Sequence, residues 1–174
     1  MTRLFLTGFM GTGKSAVGPL AARSLGYEYI DLDKVIERAA GMPIPKIFET
    51  EGEASFRARE TDALRQMAQR DQCVIATGGG VVLSKENRDL MAASGHVVCL
   101  SASAAAIVRR TRRQRAARPV LDTGGDLLAR IQALLAEREA YYRECHHLID
   151  TTGRPVDDVA REVVRLHREQ EWKR

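Results

Sequence analysis

Residues 8 to 15 read Gly-Phe-Met-Gly-Thr-Gly-Lys-Ser, a full match to the phosphate-loop pattern G-x-x-x-x-G-K-[ST]. A triphosphate needs several donors converging on it, and backbone N–H groups are the densest available. Gly8, Gly11 and Gly13 let the chain curl tightly, with no Cβ between backbone and phosphate. Gly11, Thr12, Gly13, Lys14, Ser15 and Ala16 would then surround the phosphates at the positive end of the next helix. The Lys14 ammonium can reach the β- and γ-phosphates, and the Ser15 hydroxyl is suited to ligate Mg²⁺. The plainer alternative is a glycine-rich turn carrying a solvated lysine. It is disfavoured because an apolar β-prone run, Leu4 to Thr7, precedes the loop and a helical pattern follows it. A nucleoside triphosphate is the expected ligand.

Three further groups could act beside a triphosphate. Asp31 and Asp33 form a D-x-D pair at the end of a second predicted strand, where the pleat would aim both carboxylates the same way. One could hold Mg²⁺ directly or through water, and the other could accept a hydrogen bond, and a proton, from a substrate hydroxyl. Equally, Asp33 could cap the helix that follows. Arg57 and Glu60 are three apart, neighbours on one helical face. They are either a surface ion pair or an arginine held ready for bidentate grip on a substrate carboxylate. Gly78, Gly79 and Gly80 follow directly on a buried strand. Three consecutive glycines are better explained by close backbone approach to a ligand than by a plain turn. Finally, six arginines fall between Arg109 and Arg118, in a stretch punctuated by Pro119, Gly124 and Gly125. This is a solvated basic patch or, beside a nucleotide, a mobile lid that brings cations onto transferring phosphate.

The elements that must position these residues are short apolar strands at 4–7, 27–32, 73–77, 97–100 and 148–150. Helical patterns alternate with them at 15–25, from Asp33 to Gly41, 45–48, 52–70, 84–93, 103–112, 126–143 and 156–170. That alternation predicts an α/β fold, a five-stranded parallel sheet flanked by helices. Ligands of such sheets lie beyond the carboxyl ends of the strands. The phosphate loop, Asp31/Asp33 and the three glycines should therefore share one edge. At 174 residues, 44% apolar and 29% charged, the chain is expected to be one globular domain, 1–174. No apolar run approaches a membrane span, and the N-terminus enters a strand without a signal-peptide pattern. Cys73, Cys99 and Cys145 are odd in number and widely spaced, so buried reduced thiols and a cytoplasmic setting are expected. The net charge of +4 concentrates in the arginine-rich stretch, and few aromatics or recognition motifs accompany it. Neither nucleic acid nor a membrane is therefore expected as a partner.

Taken in order, these motifs resemble the shikimate kinase family, small P-loop enzymes with a nucleoside-monophosphate-kinase-like fold. The matching residues are GFMGTGKS, Asp31-Leu32-Asp33, Ile47-Phe48 through Gly52-Glu53, Phe56-Arg57 and Glu60, Gly78 to Gly80, Arg118-Pro119 with Leu121, and Glu137-Arg138 with Tyr141-Tyr142. The resemblance implies transfer of the ATP γ-phosphoryl group to the 3-hydroxyl of shikimate, with Mg²⁺, in aromatic amino-acid biosynthesis. It implies that Asp33 binds shikimate hydroxyls and serves as base, that Arg57 and Arg138 grip its carboxylate, and that Gly79 offers its backbone. It further implies that Asp31 supports the metal through water with Ser15 a direct ligand, that Arg118 is the lid cation, and that Arg110, Arg154 and Pro155 pack on adenine. A substrate-binding segment at about 33–61, a lid at about 112–125 and a monomer complete the implied organisation. Pro43 and Pro45 depart from the family pattern, and Arg112, Arg113 and Arg115 compete with Arg118 for the lid role. Two alternatives remain: another small kinase of this fold, such as a gluconate or nucleotide kinase, and a non-catalytic ATP-binding regulator.

Overall fold

Leu4, Phe5 and Leu6 are wholly buried, and they lie in the middle strand of the sheet. A strand covered on both faces must be apolar throughout rather than alternating. The computed structural model describes residues 2–111 and 126–172. Within them, strand β1 (Arg3–Thr7) leads through the phosphate loop into helix α1 (Lys14–Leu25). Then come β2 (Glu28–Asp31), α2 (Leu32–Ala40), α3 (Ile44–Met67), β3 (Cys73–Ala76) and a single 3₁₀ turn (Val81–Leu83). The order continues with α4 (Lys85–Ser94), β4 (His96–Ser101), α5 (Ala104–Thr111), α6 (Leu127–Arg143), β5 (His147–Asp150) and α7 (Val156–Trp172).

The five strands are parallel and lie in the order β2-β3-β1-β4-β5. Leu4 sits beside both Val74 and His96, which fixes the register of the three central strands. The pleat divides the core into two layers. Leu4, Leu6, Val74 and Val98 pack under α1 and α7, against Val17, Ala21, Val159 and Val163. Phe5, Ile75, Val97 and Cys99 face the other way, against apolar residues of α2 to α6 such as Ile36, Leu64, Met91, Ile107 and Ile131. Among the described residues, no helix is long and apolar enough to cross a membrane.

The expected elements are present, with instructive shifts. The second strand ends at Asp31, and Leu32 already opens α2, so Asp33 lies in a helical first turn rather than on the pleat. Asp31 is the cap: its Oδ1 accepts from the N–H groups of Asp33 at 3.1 Å and Lys34 at 3.4 Å. The two helical patterns expected on either side of residue 50 form one element bent at Gly52, whose φ is 83°. Pro43 caps α3 and Pro45 sits in its first turn, where a missing N–H costs nothing. The arginine-rich lid expected at 112–125, with Arg112, Arg113, Arg115, Arg118, Pro119 and Leu121, lies outside the described residues.

Candidate active site

Each strand end delivers one part of the site. After β1 the chain turns through Gly8, with φ of 127°, and Gly13, with φ of 108°, a region closed to most side chains. The Thr12 hydroxyl and N–H both turn inward onto the Phe9 carbonyl, at 2.8 and 3.4 Å, and stiffen the loop. Lys14 Nζ donates to the carbonyls of Gly8 at 2.6 Å and Phe9 at 3.0 Å, which holds the ammonium over the loop. The Ala16 N–H is bonded to the Gly13 carbonyl at 3.0 Å, and Ser15 lies exposed in the first turn of α1. Arg110 locks the loop from the side. Its guanidinium donates to the Gly11 carbonyl at 3.1 Å, and to the Thr151 hydroxyl and carbonyl at 3.0 and 2.7 Å.

Beyond the loop lie two abutting clefts. The smaller, about 350 Å³, is lined by Gly11, Gly13, Lys14, Ser15 and Arg110. The larger, about 620 Å³, is lined by Phe9, Pro43, Ile44, Phe48, Arg57, Glu60 and Arg138. Asp31, Asp33, Gly78, Gly79 and Met10 line both, so the two aspartates stand at the junction. The apolar lining from Phe9, Ile44, Phe48 and Phe56 suits a carbon ring, and Arg57, Glu60 and Arg138 add charged groups to the same cleft.

This charged group is built on burial. Arg57 Nη1 donates to Glu60 Oε2 at 2.7 Å, and its Nε and Nη2 reach Glu53 at 3.3 and 3.1 Å. Glu60 is only 1% exposed, so burial pushes its carboxyl up, and the Arg57 charge pulls it back. The geometry therefore resolves the surface-ion-pair alternative for Arg57 and Glu60: the carboxylate is inside, and the arginine is fixed by it. Arg138, from α6, is 8% exposed with its guanidinium 5.9 Å from the Phe9 ring centre. Glu60 Oε1 and Arg138 Nε make no hydrogen bond among the described residues. Buried polar atoms without partners beside a cleft are a place where a ligand can complete the bonding.

The three glycines have a partly different explanation from the expected one. A Cβ on Gly80 would lie 2.4 Å from Arg57 Nη1, and one on Gly78 would lie 2.8 Å from Glu60 Oε1 and 3.0 Å from Asp33 Oδ1. The missing carbons make room for the protein's own charged side chains. The sequence marked the glycine run but not what fills the space beside it. It also gave no role to Phe9 and Met10, the variable positions of the loop, nor to Ile44 and Phe48; their apolar character was the available signal.

Arg154 and Pro155 stand apart from the residues lining the two clefts. Arg154 pairs with Glu162 of α7 at 2.7 Å. Arg118 lies outside the described residues. The oxygen donors Ser15, Asp31 and Asp33 beside a phosphate loop suit Mg²⁺, a hard cation that keeps several waters and needs few protein ligands. Among the described residues, no cluster of three or more His, Cys, Asp or Glu could hold a metal alone.

Comparison with known proteins gives a consistent result. A family model described as shikimate kinase matches residues 10–168. A shikimate kinase of Geobacter metallireducens is 47% identical over 162 residues, 92% of this chain and 88% of that protein. One from Halorhodospira halophila is also 47% identical, over 164 residues, 94% and 92% of the two chains. Among solved structures, a shikimate kinase from Acinetobacter baumannii in complex with shikimate superposes with a TM-score of 0.92 at 36% identity. It covers 98% of this chain and 94% of its own.

Proposed function

The chain belongs to the shikimate kinase family and is an ATP-dependent kinase of shikimate; we propose that its two abutting clefts divide that reaction between them. The smaller cleft takes the ATP phosphates and the larger takes shikimate, so that the acceptor 3-hydroxyl meets the γ-phosphoryl group at Asp33. The observation that carries this assignment is the larger cleft itself: two arginines, one held by a buried carboxylate, among phenylalanine and isoleucine side chains in a pocket that shares Asp31, Asp33, Gly78 and Gly79 with the phosphate cleft.

In this reading the backbone of Gly11, Thr12, Gly13, Lys14, Ser15 and Ala16 wraps the phosphates, and Lys14 neutralises charge between the β and γ positions. Arg57 and Arg138 grip the shikimate carboxylate in bidentate fashion, Gly78, Gly79 and Gly80 line its face, and Asp33 orients the hydroxyl and accepts its proton. Ser15 and, through water, Asp31 would hold Mg²⁺, which supplies charge neutralisation when bound. Arg110, Arg154 and Pro155 flank the adenine. Arg118 is proposed as the cation on the transferring phosphate, a role worth on the order of 10³-fold in rate or more in related chemistry. Phosphoryl transfer of this kind needs alignment and positive charge more than covalent help, and these residues supply both. We further place the chain as one domain over 1–174, with a substrate segment at about 33–61 and a lid at about 112–125. It acts as a cytoplasmic monomer with no nucleic-acid or membrane partner. The three unbridged cysteines, Cys73 and Cys99 buried and Cys145 half-buried, support the reducing compartment.

The test is ADP release measured by a coupled assay with ATP and Mg²⁺ across shikimate, gluconate and nucleoside monophosphates. Release that depends on shikimate and stops on chelation of Mg²⁺ is expected. Release with gluconate or a nucleotide alone would remove the acceptor assignment, and silence with ATP still bound would favour a regulator.

A further inference from the structure

Tyr142 is a buried phenol that lines neither cleft. It lies on α6, one turn beyond Arg138, and is 8% exposed. Its hydroxyl donates to the Gly79 carbonyl at 2.6 Å, and the Arg138 guanidinium lies beside it. Burial holds the phenol above its ordinary range, so it remains a donor throughout the working pH span.

Its acceptor is at a crossroads. The Gly79 Cα faces the phosphate loop, where a Cβ would come within 3.3 Å of the Met10 nitrogen, and Gly79 lines both clefts. The next residue, Gly80, is the one against which the Arg57 guanidinium rests. A peptide unit is planar, so the Gly79 carbonyl and the Gly80 N–H turn as one body and point opposite ways. Holding the carbonyl therefore holds the Gly80 N–H and the surface on which Arg57 lies. The same helix turn carries Arg138, because residues four apart share a face.

We propose that Tyr142 is a positioning residue for the acceptor, which registers the Gly79–Gly80 peptide, and with it Arg57, against Arg138, so that the two arginines meet one carboxylate at a fixed spacing. This rests on the assignment of the shikimate carboxylate to Arg57 and Arg138. A tyrosine that only fills space would need its ring and not its hydroxyl.

Tyr142→Phe separates the two cases, since it keeps the ring and the packing of α6. The KM for shikimate should rise about five- to tenfold, the scale of one lost hydrogen bond to a buried carbonyl, with kcat and the KM for ATP held within about twofold. On shikimate methyl ester, which lacks the carboxylate charge, variant and wild type should differ by less than about twofold, as expected when two changes act through one contact. An unchanged KM for shikimate, or the same penalty on the ester, would overturn the proposal. So would a joint loss of kcat and both KM values with a lowered melting temperature. Wild-type protein that fails to phosphorylate shikimate would instead remove the assignment on which the proposal rests.

Discussion

At Gly80, one absent carbon decides where a charge can stand. The backbone there has φ of −98° and ψ of −4°, which alanine adopts without strain. Gly80→Ala should therefore act through the arginine and not through the backbone, and pushing the Arg57 guanidinium off the buried Glu60 carboxylate should lower the melting temperature by several degrees. Its kinetic effect should fall on the acceptor: a KM for shikimate raised by about tenfold or more, from loss of a pre-positioned ion pair. Steady-state kinetics and a thermal melt on one preparation check both halves. A melt lowered by tens of degrees with unchanged KM would mean that the glycine serves the backbone and not Arg57. Much of this site was legible residue by residue, since the phosphate loop, the Asp31/Asp33 pair, Arg57 with Glu60 and the glycine run all stand in local sequence. What was not legible is which of them touch. Residues 57 and 80 meet only because α3 and the end of β3 are brought together, and no local spacing encodes that. Of the two readings left open for Asp33, capping is taken by Asp31 instead, because the strand ends one residue earlier.

Among elements, the strand–loop–helix unit from β1 to α1 carries the tightest constraint. A Cβ on Gly8 would sit 2.1 Å from the Leu100 carbonyl oxygen of β4, at a φ of 127°. Both partners are backbone, so neither can swing away. Gly8→Ala should cost about 3 kcal/mol or more, from combined clash and backbone strain, read as a lower urea midpoint and a lower melting temperature. A variant that unfolds with wild-type midpoints would show that β1 and β4 diverge before Gly8. The elements themselves followed from apolar runs and helical periodicity, with starts and stops mostly within two residues. Their spatial order did not. Parallel alternation announces helices over a sheet, but β2-β3-β1-β4-β5 is a matter of which faces complement one another. Gly18 shows the same limit: it is a helix-interior glycine because the Tyr29 ring occupies the place of its Cβ, 2.3 Å away.

On the scale of the molecule, the clefts gather at the carboxyl ends of the strands, while the described thiols lie away from them. Burial pushes the thiols of Cys73 and Cys99 up to about 11 and about 12, and raises Cys145 as well. An Ellman titration of the native protein should therefore find all three thiols slow, with Cys145 the first to react, and three rapid equivalents after denaturation. Rapid native labelling of Cys73 or Cys99 would mean that the sheet opens far more often than its packing suggests. That packing also sets a timetable. β1 precedes both of its neighbours in the chain, and Leu4 waits for Val74 on one side and His96 on the other. A growing polypeptide can therefore pair Leu4, Phe5 and Leu6 on both sides only after β4 has been synthesised, and can cover Leu4 and Leu6 only after α7 has followed. The middle of the sheet is thus committed first in the chain and closed only when its C-terminal helix arrives.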